Sequence, residues 1–452
     1  MHPFIPAGLA LALAAPLLAA AQTPVDIDTL RREIDAIRAA YEQRLSALEQ
    51  RLKAAEAAAA APAARADAAA PTGAPATVPA APPAATAARG NAFNPEISLI
   101  LSGGYSRATQ DPASYGLTGF ALPAGAEAGP GARGFSLAES ELSLAASIDP
   151  WLRGAAHIAL HPDNEVSVEE AYVQTTSLGA GFTLKAGRYL SGVGYLNEKH
   201  RHSWDFADAP LAYQAFLGTQ FADDGVQLRW LAPTDTFLEL GAEVGRGRAF
   251  PGADNDRNGA GATALFAHTG GDVGDSHSWR AGISLLKARP REQALVAALD
   301  SSAVNLFSGR SRVVIGDFVW KWAPRGNATR THFALQGEVL RGTRDGEVSD
   351  ASGALTPVRT TQSGWYLQGV YQFMPRWRAG LRTERLDSGA TSALTDVAYR
   401  PRKESLMLDF SPSEFSRVRL QLARDRSRLG EPDRQLVLQY QMSLGAHGGH
   451  GF

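Results

Sequence analysis

Three observations predict an all-β fold, a transmembrane antiparallel β-barrel of about 16 strands. From Asn91 onward, apolar and polar residues alternate with period two. The polar set carries charges in mid-strand, which suits a wet lumen, and the apolar set ends in aromatics beside short turns. Short and long connections also alternate, as in a barrel with tight turns at one rim and long loops at the other. A short coiled-coil helix and an Ala/Pro-rich linker precede this region.

The strands follow from the alternation. Val314, Gly316, Phe318, Trp320 and Trp322 share one face, and Ile315, Asp317, Val319 and Lys321 share the other. Trp365, Leu367, Tyr371 and Phe373 alternate with Tyr366, Gln368 and Gln372, and Val418, Leu420 and Leu422 with Arg417, Arg419 and Gln421. Leu436, Leu438, Tyr440, Met442 and Leu444 alternate with Gln435, Gln439, Gln441 and Ser443. Strands are expected to begin near Glu96, Phe135, Trp151, Val166, Phe182, Gly225, Asp235, Gly261, Ser276, Ser311, Thr329, Gln362, Arg376, Lys403, Phe415 and Arg434. Long loops are expected at Ser106 to Gly134, Tyr189 to Asp223, Arg246 to Gly259 and Arg289 to Arg310.

Ahead of the barrel, Gly8 to Ala21 is an Ala/Leu run ending in small residues, which reads as a secretory signal peptide over residues 1–21. Residues 25–60 carry an apolar seam at Ile27, Leu30, Ile34, Ile37, Tyr41, Leu45, Leu48, Leu52 and Ala55, with one stutter. A seam so short is marginal alone. The expectation is a periplasmic coiled coil that self-associates as a homotrimer; the alternative is one amphipathic helix lying on another surface. Residues 61–90, mostly Ala, Pro and Thr, read as a disordered spacer, and 91–452 as the barrel.

Composition narrows the function. There are 44 Lys+Arg against 46 Asp+Glu, so a nucleic-acid partner has no support. The absence of Cys removes disulfides, thiolate metal sites and thiol catalysis. Mean hydropathy is −0.17, and no segment after the signal is apolar enough for a spanning helix. No GxSxG, P-loop, HExxH or helix-opening GxGxxG occurs, so an enzyme is not expected.

The lumen face supplies the candidate site. Extrapolated alternation points Glu139, Glu141, Arg153, His157, His161 and Glu170 inward on strands two to four. It points Arg376, Arg378, Arg382, Glu384, Arg417, Arg419 and Asp425 inward on strands thirteen to fifteen. The first sector is mostly acidic or imidazole and the second mostly basic. They either set a transverse field that selects solutes by charge, or simply solvate the lumen and pair locally. The loop after the fifth strand, Gly187 to Leu211, is aromatic and rich in ionisable groups. Folded inward it would narrow the pore and present Lys199, His200, Arg201 and His202. Metal ligation is the further expectation, by His200 and His202 with Asp205 or Asp208, and by His157 and His161, zinc being the metal in view. The tail adds His447, His450 and a terminal Phe452.

The segments Asn91 to Leu101, Gly187 to Leu211, Asp224 to Asp235 and Ser443 to His447 resemble a family of proteobacterial outer-membrane proteins often labelled hypothetical or TonB-dependent zinc-regulated receptors. The plan of signal, short coiled coil and sixteen-stranded barrel also resembles the phosphate-selective porin O/P family. These resemblances imply an outer-membrane location, with lipid around the barrel. The leading expectation is a porin-like channel for passive diffusion of small hydrophilic solutes or ions. The alternatives are a zinc uptake or binding receptor, and a structural anchor bearing a coiled coil.

Overall fold

A computed structural model describes residues 95–445, apart from 125, 127, 255, 257, 298–303 and 396. The expected signal peptide, coiled coil, spacer and C-terminal tail lie outside the described residues.

Among the described residues, nineteen strands form one antiparallel sheet. They are β1 (Glu96–Ala108), β2 (Ala121–Pro123), β3 (Gly134–Leu137), β4 (Ser140–Ser147), β5 (Leu152–Leu160), β6 (Val166–Thr175), β7 (Phe182–Leu190), β8 (Ala222–Leu231), β9 (Phe237–Gly245) and β10 (Ala262–Val273). The rest are β11 (His277–Ala288), β12 (Gln293–Ala297), β13 (Val304–Trp322), β14 (His332–Ser349), β15 (Leu355–Met374), β16 (Trp377–Asp387), β17 (Arg402–Ser413), β18 (Ser416–Arg426) and β19 (Asp433–Gly445). β3 and β4 both pair with β1 and act as one interrupted wall strand. β2 and β12 pair with each other in the long loops, while β11 pairs directly with β13. Sixteen strands therefore make the wall, and β1 closes it on β19 from Ser98↔Gly445 to Ala108↔Gln435.

The period-two pattern decides which face meets which medium. Leu184, Val226, Leu265, Ile283, Val339, Leu381, Leu406 and Leu438 point outward and are exposed. A continuous apolar outer belt on a closed barrel matches a bilayer. At the short-turn end, aromatics gather in pairs: Trp377 lies 4.6 Å from Phe410 between ring centroids, and Trp320 5.6 Å from His277. No helix among the described residues is long and apolar enough to cross a membrane.

Three expectations need correction. The strand expected near Ser311 starts at Val304, and the one expected near Gln362 starts at Leu355. β13, β14 and β15 run 19, 18 and 20 residues, longer than a bilayer requires. Arg376, expected in the lumen, sits instead in the tight turn between β15 and β16 at φ 72, with its side chain exposed. The turn geometry there, not the strand alternation, sets its direction.

The lumen is narrowed by the loop expected to fold inward. The 191–221 segment between β7 and β8 folds inward and carries one helix, α1 (Leu211–Leu217), all of whose residues are buried. Val193, Leu196, Trp204, Leu211, Phe216 and Phe221 pack with Val313, Ile315, Leu340 and Leu286 of the wall and with Leu117, Phe120 and Leu122 from the loop after β1. An apolar core therefore sits inside a wall that otherwise presents polar groups.

Candidate functional site: a charge-locked strap between two cavities

The 191–221 segment crosses the lumen as a strap. Its base is stapled by Asn197, whose Nδ2 donates to the carbonyls of Ser191 (2.8 Å) and Phe221 (2.9 Å). Glu243 of β9 accepts from the Ser191 hydroxyl and the Gly192 N–H. Farther in, the buried Glu338 of β14 accepts from the backbone N–H groups of Tyr195 (3.1 Å) and Leu196 (3.0 Å), and from the hydroxyls of Tyr213 and Tyr366. A buried carboxylate is stable only with such a set of donors.

The strap is bipolar, and the wall complements it. On one side Arg201 donates to Glu139 (2.9 Å), His200 Nε2 meets Glu170 (2.9 Å), and His202 Nδ1 meets Glu141 (3.0 Å). On the other, Arg378 donates to Asp205 (2.9 Å), Arg382 to Asp208 (2.7 Å), and Lys403 to Asp208 (2.5 Å). Arg417 donates to the His202 carbonyl (2.8 Å), and Arg419 is held by Asp409 (2.8 Å). The two charge sectors read from the sequence exist, but they grip the strap instead of facing each other across water. Arg382 is further neutralised by Glu384 (2.8 Å).

Burial opposes the charge on these strap groups, and partners restore it. Burial lowers the His200 imidazole, but hydrogen bonds with Glu141, Glu169 and Glu170 outweigh that and hold it well above its ordinary value. Burial raises the Asp208 carboxyl, and Lys403 and Arg382 overcome it and hold the group below the usual carboxylate range. Glu198 is likewise raised by burial and brought down to about 2, chiefly by Arg229.

Several cavities flank the strap, two of them on its β18–β19 side. One, of about 560 Å³, opens toward the short-turn end and is lined by Lys199, His200, His202, Arg280, Arg417 and the turn Ser411 to Ser416. The other, of about 450 Å³, lies toward the long loops and is lined by Tyr105, Glu139, His161, Arg201, His202 and Gln439. His202 lines both. Beside it on β19, Gln441 faces the first cavity and Gln439 the second.

Three of the four histidines expected as metal ligands lie together here. The His157 and His200 rings are 4.4 Å apart, and His200 and His202 are 5.7 Å apart. Glu141 sits among them, its Oε1 2.9 Å from His157 Nδ1. His161 stands apart, its Nε2 2.7 Å from the Ser167 hydroxyl and its Nδ1 3.8 Å from Glu139. Asp205 and Asp208, expected as further ligands, are turned to the basic wall. Ser143 and Glu141 both address Nδ1 of His157, so they do not form a relay across the ring.

Sequence reasoning missed Glu169, whose Oε2 is 3.2 Å from His200 Nδ1. The β5–β6 register shifts between His157 and Ile158, a bulge that re-aims neighbouring side chains. The consecutive Glu169-Glu170 pair in an alternating strand was the available signal.

Closed wall, apolar belt and strapped lumen together define a transmembrane β-barrel protein. No family model matches the chain. The chain belongs to the family of an uncharacterized protein of Aquifex aeolicus (strain VF5), to which it is 33% identical over 388 residues covering 80% of each. Among solved structures, the trimer form of OmpT of Vibrio cholerae is similar at TM-score 0.48 and 10% identity, over 78% of this chain and 99% of that one. The anion-selective porin from Comamonas acidovorans gives the same four values, TM-score 0.48, 10%, 78% and 99%. The outer-membrane channel DcaP of Acinetobacter baumannii gives TM-score 0.46 and 9% identity, over 78% and 97%.

Proposed function

We propose that the protein is an outer-membrane channel for small hydrophilic solutes or ions, with the strap as its constriction. The observation that carries this reading is the meeting of two cavities, one from each end of the barrel, at His202. On this side the wall between the two cavities is polar, with Arg417, Gln439 and Gln441. The opposite side is closed by the apolar packing of α1 on β14 and β15. Selectivity then rests on the charge of the Arg201–His202 corner and on the cross-section left by the strap. The N-terminal Ala/Leu run, read as a signal peptide, and the apolar belt support export to the outer membrane. The heptad seam supports assembly of three copies through residues 25–60.

Planar-bilayer recording of the full chain tests the channel. Single-channel currents that rise in Arg201→Ala are expected. A barrel that stays silent both as wild type and as Arg201→Ala would leave only a membrane anchor. Gel filtration after deletion of residues 25–60 tests the assembly, with a loss of the trimer expected.

A further inference from the structure

We propose that the corner where the strap meets β4 and β5 is a binding site for a divalent transition-metal cation of the Zn2+ class, held by His157, His200 and Glu141. The inference deepens the channel reading by giving its constriction a ligand, and it stands on geometry. One nitrogen from each imidazole and one Glu141 oxygen all lie within 4.8 Å of one another. The individual pairs are close: Glu141 Oε1 to His157 Nδ1 is 2.9 Å, and Glu141 Oε2 to His200 Nδ1 is 3.2 Å. Ligand atoms at about 2.0–2.2 Å from a tetrahedral Zn2+ lie roughly 3.3 Å from one another, so a set spread over as much as 4.8 Å closes on one cation with about 1 Å of side-chain movement.

The surroundings are those of a metal site as well. His200 presents Nδ1 to Glu141, and its Nε2 meets Glu170 at 2.9 Å. A carboxylate on the far ring nitrogen orients a ligating imidazole. The Ser143 hydroxyl donates to Glu141 Oε1 at 2.6 Å and fixes the ligand carboxylate in the same way. His157 and His200 both line a cavity of about 470 Å³, so the fourth position of a three-ligand site can face water, the arrangement of an exchangeable site and not of a closed structural one. Two imidazoles and one carboxylate favour a borderline cation such as Zn2+ over Mg2+, which prefers oxygen ligands and keeps its water. Because Glu141 and His157 belong to the wall and His200 to the strap, a bound cation also ties strap to wall.

The test is a calorimetric titration of the full chain in detergent with zinc chloride, and with magnesium chloride for comparison. We expect saturable Zn2+ binding and none for Mg2+. His157→Ala and Glu141→Gln should each weaken Zn2+ affinity by about tenfold or more, while His332→Ala should not. Each variant is compared with wild type by circular dichroism; should His157→Ala not fold, His157→Gln reads the same ligand. No Zn2+ saturation in wild type, or undiminished affinity in folded His157 and Glu141 variants, overturns the site. Bilayer currents on the same sample separate the two readings. Current without Zn2+ affinity overturns the site alone; Zn2+ affinity without current overturns the channel alone. Where both hold, Zn2+ should reduce the current of wild type and not of His157→Ala.

Discussion

The Lys403 ammonium on β17 lies 2.5 Å from the Asp208 carboxylate at the acidic end of the strap, and Lys403 is fully buried. Arg382 reaches the same carboxylate at 2.7 Å. Removing one member of a buried ion pair costs up to about 3–5 kcal/mol, and here Arg382 still holds Asp208, so the loss is smaller. Lys403→Met should therefore loosen the strap, seen as faster proteolysis between Asp205 and Leu211 and as noisier, larger bilayer currents. Combining it with Asp208→Asn should recover part of the loss. If the double variant is as leaky as the sum of the two singles, the pair is not the lock.

The same pair fixes a pH response. The Asp208 carboxyl is held below its ordinary range when the strap is docked. A depressed folded value means that its stabilisation is complete above the ordinary carboxylate value and is lost as pH falls through the lowered one. From about pH 8 to about pH 5 this group should leave the current unchanged, and acid release should begin only below about pH 4. Currents recorded along an acid series test this. Asp208→Asn should remove that step; a step of the same size in the variant would assign it to other groups.

Glu338 holds the strap through donors that require a carboxylate shape. Tyr195 and Leu196 N–H groups reach its two oxygens, and Gly194 lies so close that an added Cβ would strike Oε2. Gly194 also has φ 71, a conformation that β-branched residues avoid. Gly194→Val should thus displace the strap, while Gly241→Ser at the β9 wall would crowd Phe266 without touching Glu338. The readout is bilayer current together with thermal unfolding in detergent. A Gly194→Val current equal to wild type would show that the contact does not position the strap.

How much of this was legible beforehand depended on periodicity. The wall was readable because outward residues such as Val418, Leu420 and Leu422 recur every second residue against Arg417, Arg419 and Gln421, and because Pro375-Arg376 and Pro324 mark turns. The inward fold of the strap was less so, since Val193, Leu196, Trp204, Phe206 and Phe216 follow no period. A signal was nonetheless present on β13, where Ile315 and Val319 share the face of Asp317 and Lys321. Apolar residues at lumen positions need an apolar partner inside, and for Ile315 the strap supplies it. The pairing of the charge sectors was not readable, because alternation gives the face of a side chain and not what stands opposite it. Glu169 was hidden by the bulge, which breaks the parity rule locally.

The apolar side of the strap yields the remaining prediction. Phe216 of α1 is buried and seats on two bare backbone positions: a Cβ on Gly342 of β14 would clash with its ring, and one on Gly364 of β15 would touch it. Glycine at both positions lets the ring approach the wall closely, with Phe120 edge-on at 5.9 Å on its other side. Emptying this seat and blocking it should differ. Phe216→Ala leaves a cavity and should lower stability by about 3–5 kcal/mol. Gly342→Val keeps the ring but denies it the seat, so α1 must lift and open the side of the lumen that is otherwise sealed. Denaturant unfolding should register Phe216→Ala, whereas permeation of uncharged sugars into proteoliposomes should increase with Gly342→Val. If sugar entry stays at the wild-type rate in a folded Gly342→Val protein, the packing of α1 on β14 is not what closes that side.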